Sequence, residues 1–298
     1  MSKIKIVLDS SADMTEMSGV DFAFAPLKIV TDHKEYVDDS NLDVKAMTDE
    51  MAKYKGRSST SCPNTEDWLT AFGDAENILC ITITSGLSGS YNSAVTAKDI
   101  YEEEHHGRKV SVIDSLSTGP EMALMAERAK ELIDEGKSLD EVTEELKNYE
   151  TELAFVLCSL RNFANNGRVS KIIATAVGVL GIRLVGRASD IGTLEMLSKV
   201  RGQEASLDAV IEQMTERGYS SGRVIISHCF NPQGAARLEE KLKQKFPEAQ
   251  TEIRPLRGLC SFYAELGGLL IGYRTEPVHA DSAPAQGWSD NQTTVVAY

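Results

Sequence analysis

A run of about 18 uncharged apolar residues, the least a membrane-crossing helix needs, occurs nowhere in this sequence. The longest candidate, residues 172–184, is shorter and is interrupted by Arg183, so no integral membrane segment is expected. Basic clusters are missing too. Lysines and arginines are scattered among a larger number of acids, and the formal net charge of -14 would be repelled by a phosphate backbone, so no nucleic acid partner is expected. The five cysteines, Cys62, Cys80, Cys158, Cys229 and Cys260, are odd in number, widely spaced and form no C-x-x-C pair. That argues against a disulfide scaffold and suits reduced thiols. His33, His105, His106, His228 and His279 do not combine with cysteine at zinc-ligand spacing. Neither the G-x-x-x-x-G-K-[ST] phosphate loop nor a G-x-G-x-x-G after the first strand is present, so ATP and dinucleotides are not implied, and no cofactor is expected. The opening Met-Ser-Lys-Ile-Lys-Ile-Val lacks the basic, apolar and small-residue regions of a secretion signal, and a cytoplasmic location is the expectation.

What is present reads as an ordinary globular α/β chain. Its 298 residues exceed what one core usually serves, and 42% hydrophobic with 26% charged residues is normal globular usage. Apolar strand text at residues 3–9, 22–30, 77–84 and 109–114 alternates with helical text at 43–53, from 65 onward, at 91–104 and at 121–135. Such alternation implies crossover connections. The fold class expected is therefore α/β: an N-terminal doubly wound, mostly parallel sheet domain over residues 1–150 and a second α/β domain over 151–298. The second part shows strand text at 153–157 and 224–227 and helical text at 207–216 and 233–245, while the tail from 274 onward is weakly periodic.

Open α/β sheets bind ligands beyond the carboxyl ends of their strands, and here that text is polar. Asp9-Ser10-Ser11, Ser85-Gly86-Leu87-Ser88-Gly89-Ser90 and Asp114-Ser115-Leu116-Ser117-Thr118-Gly119 each follow an apolar strand and precede a helix. In the second of these, glycines admit a ligand to the backbone amides, hydroxyls donate, and the helix start adds positive potential, which suits a carboxylate or phosphate. The same text also reads as a Ser-rich helix cap that binds nothing. Thr60-Ser61-Cys62-Pro63 offers two more hydroxyls, and Gly167-Arg168 a guanidinium that a turn can aim at an anion. His228 ends a strand, where a switching or catalytic role competes with a helix-capping loop. A serine hydrolase acting through Ser88 finds little support, because Gly86-Leu87-Ser88-Gly89-Ser90 lacks the closing glycine of G-x-S-x-G and no spacing nominates a base.

Taken together, Asp9-Ser10-Ser11-Ala12-Asp13, Thr60-Ser61-Cys62-Pro63, Ser85-Gly86-Leu87-Ser88-Gly89-Ser90-Tyr91, Asp114-Ser115, Asn166-Gly167-Arg168-Val169-Ser170 and Lys199-Val200-Arg201-Gly202 resemble, in order, the motifs of the DegV family. These are bacterial fatty-acid-binding proteins that act as lipid carriers for a fatty acid kinase. The resemblance spans residues 3–273 and implies a ligand cleft between the two α/β domains. It implies a carrier without catalysis of its own, a long-chain fatty acid as ligand and a fatty acid kinase subunit as partner. It also implies that Thr60 and Ser88 hold the carboxylate, with Ser61 and Gly89 beside them and Arg168 near the same end of the pocket. Arg168 is expected at the cleft mouth, facing the kinase or an acyl-phosphate product. Two departures stand out: Tyr263 falls where the family often has a histidine, and Cys62 where it usually has glutamine. The tyrosine can still donate a hydrogen bond.

Overall fold

The computed structural model describes residues 3–170 and 181–275. The apolar run at 172–184 therefore falls mostly outside the described residues, and the tail from 276 wholly so. Strand β1 (Ile4–Asp9) is buried on both faces, as strands of parallel sheets are. It lies inside a four-stranded parallel sheet of order β2-β1-β6-β7, with β2 at Asp21–Ala25, β6 at Asn77–Thr82 and β7 at Lys109–Asp114. Ile6 and Leu8 point to one side, where α4 (Pro120–Asp134) and α5 (Leu139–Lys147) supply Met122, Ala126, Leu132 and Val142. Val7 points to the other, against Trp68 and Phe72 of α2 (Thr65–Phe72) and Ala94 and Tyr101 of α3 (Ser90–Glu104). This is the doubly wound sheet that the alternation implied.

The single strand expected over residues 22–30 is two strands in two sheets. Pro26 lies between them and has no N–H to continue a ladder, and the next amide, Leu27 N, donates instead to Ser10 Oγ at 3.0 Å. Beyond this break β3 (Lys28–Thr31) pairs antiparallel with β4 (Glu35–Val37) and β5 (Ser58–Ser61) in a small sheet that the sequence reading did not anticipate. The consequence is positional: β5 carries Thr60 and Ser61. Helix α1 (Val44–Lys53) lies between β4 and β5 in the chain, its start capped by Asp43.

The remaining chain builds a six-stranded sheet of order β10-β9-β8-β13-β11-β12. Its strands are β8 (Thr151–Leu157), β9 (Ile182–Ala188), β10 (Leu194–Arg201), β11 (Gly222–His228), β12 (Ala249–Pro255) and β13 (Leu269–Arg274). Only β11 and β12 pair parallel. One face, with Ala154, Val156, Val185 and Ile271, is covered by Leu207, Val210 and Met214 of α7 (Gln203–Glu216) and Leu238 and Leu242 of α8 (Pro232–Lys245). The opposite face, with Leu153, Phe155, Leu157, Leu184 and Leu270, meets α6 (Arg161–Asn165) and α9 (Gly258–Ala264). Among the described residues no helix is long and apolar enough to cross a membrane.

Helix α9 is held to the N-terminal part of the chain by two acids, Asp13 and the buried Asp38. Arg257 N donates to Asp13 Oδ1 at 2.8 Å, while Gly258 N and Leu259 N donate to the two oxygens of Asp38 at 3.0 and 2.9 Å. Residue 258 must be glycine here, since a Cβ would sit 2.5 Å from Asp38 Oδ1.

Candidate functional site

At the carboxyl end of β1, Asp9 is fully buried and accepts from four donors: Ser11 N, Ser11 Oγ, Ile83 N at 2.8 Å and Ser90 Oγ at 2.6 Å. Burial pushes its carboxyl up, against those donors. One side chain thus ties β1, the end of β6 and the first residue of α3 together, and the 85–90 loop is fixed at both ends. The loop is also pinned sideways. Thr84 Oγ1 donates to Gly192 O at 2.8 Å, and a Cβ on Gly86 would lie 2.9 Å from that same carbonyl oxygen. The cap position of α3 is Gly89, which has no side chain to offer. Ser88 Oγ accepts only a long bond from Ser90 N, at 3.3 Å.

The residue that follows β5 approaches this loop closely: a Cβ on Gly89 would be 3.3 Å from Cys62 Sγ. From the opposite side α9 presents Tyr263, whose hydroxyl is 2.8 Å from Thr60 Oγ1. The Tyr263 ring packs on Phe163 of α6 at 4.7 Å between centroids, and the Arg168 guanidinium lies 5.3 Å from the centre of the same ring. Arg168 Nε donates to Leu87 O at 2.9 Å. Through its Nε, Arg168 is thus tied to the wall, bracing the loop and the tyrosine together. Burial pushes the Tyr263 phenol above its ordinary value, opposed by Arg168, so it stays protonated at neutral pH.

Thr60, Ser61, Ser88, Gly89, Arg168 and Tyr263, the residues singled out from the sequence, all line one cavity of about 260 Å³. The rest of its wall is mainly apolar: Leu27 and Ile83 from the N-terminal part, Leu153, Phe155, Leu157 and Leu270 from the floor provided by the six-stranded sheet. Sequence reasoning missed Phe163, Cys260 and the floor residues. Only the period-two alternation of Leu153, Phe155 and Leu157 could have signalled the floor, and it does not say what the floor faces. Cys62 and Cys260 both reach the cavity, and burial pushes both thiols up. His228 ends β11 as expected but does not line the cavity, nor do Lys199 and Arg201 on β10. No histidine or carboxylate does so among the described residues, so Ser88 has no base there. Nor do the described residues contain a group of His, Cys, Asp and Glu that could hold a metal ion.

The arrangement can satisfy an anionic head with hydroxyl and amide donors while apolar walls enclose whatever follows it. Comparison with known proteins agrees with that chemistry. A family profile described as "Uncharacterised protein, DegV family" matches residues 3–276. A DegV domain-containing protein of Streptococcus pneumoniae is 43% identical over 278 residues, covering 91% of this chain and 99% of that one. Among solved structures, the Streptococcus pneumoniae Fatty Acid Kinase (Fak) B3 protein loaded with linoleic acid superposes with a TM-score of 0.90 at 43% identity, covering 92% of this chain and all of that one. A DegV family protein from Eubacterium eligens loaded with heptadecanoic acid gives a TM-score of 0.90 at 42% identity, with 92% of this chain covered.

Proposed function

The chain belongs to the DegV family, and on that premise we propose that it is a carrier that holds a long-chain fatty acid in the cavity and presents the carboxylate to a separate ATP-dependent fatty acid kinase. The observation that carries the reading is the meeting of Thr60, Ser88, Tyr263 and Arg168 as one polar cluster in an otherwise apolar cavity. Thr60 and Ser88 donate to the carboxylate, Ser61 and the amide at Gly89 complete its surroundings, and Tyr263 orients Thr60. The acyl chain lies along the apolar floor, where each buried methylene contributes about 0.8 kcal/mol before the costs of binding. The head fixes orientation and the chain supplies affinity. Division of the chain into domains at residues 1–150 and 151–298 puts this cavity between two units, each providing a wall. Phosphorylation is assigned to the kinase, and among the described residues no histidine or carboxylate lines the cavity beside Ser88.

The test is direct. Protein purified from a bacterial host is weighed by native mass spectrometry, then denatured and extracted for lipid analysis. One long-chain fatty acid per chain is expected. A preparation that carries none and takes up none when it is offered would defeat the reading. A fluorophosphonate should leave Ser88 unmodified, and stoichiometric labelling would favour a hydrolase instead.

A further inference from the structure

Phe155 is 1% exposed and lies on the cavity side of β8, between Leu153 and Leu157 on the same face. Successive floor residues along a strand are about 7 Å apart. At the Leu157 end, β8 leads into α6, whose Phe163 packs on Tyr263, so this end adjoins the polar cluster. At the other end Leu153 pairs with Gly272, which packs against the backbone of Pro120 at the start of α4. Phe155 thus occupies the middle of the floor.

Its ring is supported in an unusual way. The residue opposite Phe155 on β9 is Gly186, and a Cβ there would lie 2.6 Å from both Cε2 and Cζ of the ring. No real side chain could occupy that position without moving the ring. Phe155 is therefore laid sideways over bare backbone instead of standing up into the cavity. Close packing leaves little slack for it to do otherwise, because the neighbouring floor residues are themselves buried.

We propose that Phe155, laid over Gly186, is the residue that selects among acyl chains, and that it reads the middle of the chain. Because the ring takes the space over Gly186, the cavity above it keeps room for mid-chain bulk, such as the bend of a cis double bond or a branch, which an upright ring would exclude. This rests on the carrier reading above and adds to it a position along the chain at which discrimination occurs.

The experiment offers an equimolar mixture of stearic, oleic and linoleic acids to the full-length protein and measures the bound acids by extraction and mass spectrometry. Substitution at 186 itself is avoided, since a Cβ there would also press on the Glu195 carbonyl oxygen. Phe155→Ala, which deepens the cavity at mid-floor, should raise the bound ratio of linoleic to stearic acid, and Phe155→Trp, whose larger ring does not fit over Gly186 and must rise into the cavity, should lower it, each by about tenfold. Phe155→Leu stands in for any variant that does not fold and should move the ratio in the direction of Ala. A ratio equal to that of the wild type in variants that still bind fatty acid would overturn the proposal. So would a shift of the same size in Leu27→Ala, which enlarges the cavity away from the floor. A wild-type protein that takes up none of the three acids would instead sink the carrier reading, and this selection with it.

Discussion

The hydroxyl of Tyr263 lies 2.8 Å from the hydroxyl of Thr60, a residue 203 positions earlier in the chain. The bond joins a strand of the small N-terminal sheet to a short helix near the C-terminal end of the fold, and it closes the polar end of the cavity. One hydroxyl of the pair can donate to the other while the second donates outward.

Thr60→Ala and Ser88→Ala should each weaken fatty-acid binding by about 1–3 kcal/mol, because a buried carboxylate that loses a donor keeps its desolvation cost. Tyr263→Phe should act less than additively with Thr60→Ala, since both remove the same bond. Titration with a fluorescent fatty acid analogue reads the affinities, and thermal melts check that the fold persists. Unchanged affinity in both single variants would place the carboxylate elsewhere.

Arg168→Ala should lower fatty-acid affinity by about 1–2 kcal/mol, as Leu87 O loses its donor and the Tyr263 ring loses its cation. Arg168→Lys should recover little of this, because an ammonium has no planar Nε to place on the Leu87 carbonyl. Fatty-acid affinity and kinase-coupled phosphorylation measured on one preparation separate the roles. Full affinity with lost phosphorylation would return the arginine to the cleft mouth.

Asp9→Ala leaves Ile83 N, Ser11 N and Ser90 Oγ without their acceptor. The expected loss of stability is on the order of 3 kcal/mol, and urea unfolding measures it. Because the same side chain fixes the 85–90 loop, affinity should fall even at temperatures where the variant is fully folded. Normal affinity in the folded variant would show that the loop holds its shape unaided.

Asp13 carries a sharper pH signature. Burial, helped by nearby Asp38, pushes its carboxyl from the ordinary 3.8 up to about 8. Below the ordinary value both folded and unfolded chains hold the proton, and the group has no effect on stability. Between there and about 8 the folded chain keeps a proton that the unfolded chain has released, so stability falls as pH rises, and above that range the loss is constant. Asp13→Asn keeps the acceptor for Arg257 N and should flatten the stability profile across this window. Denaturant midpoints from pH 4.5 to pH 8.5 test it. A variant with the wild-type slope would assign the pH dependence to the other acids that burial pushes up, Asp9, Asp38 and Glu121, the last to about 7.

The sequence by itself determined the parallel sheet of the N-terminal part and the hydroxyl-rich turns at its strand ends, because strand period, helix starts and turn chemistry are properties of neighbouring residues. It also carried the break at Pro26, visible as a proline though read through as one strand. It could not reveal that β13, the last strand among the described residues, inserts between β8 and β11, or that Asp38 holds the start of α9 from 220 positions away. Nor could it show that Phe155 lies over Gly186. Those relationships are decided by pairing through space, where many partners share the same residue types and only the packed fold selects one. The polar residues that line the cavity could be named in advance from turn text and ordered motifs; the apolar floor could not, because a buried leucine in a strand reads the same whether it faces a helix or a cavity.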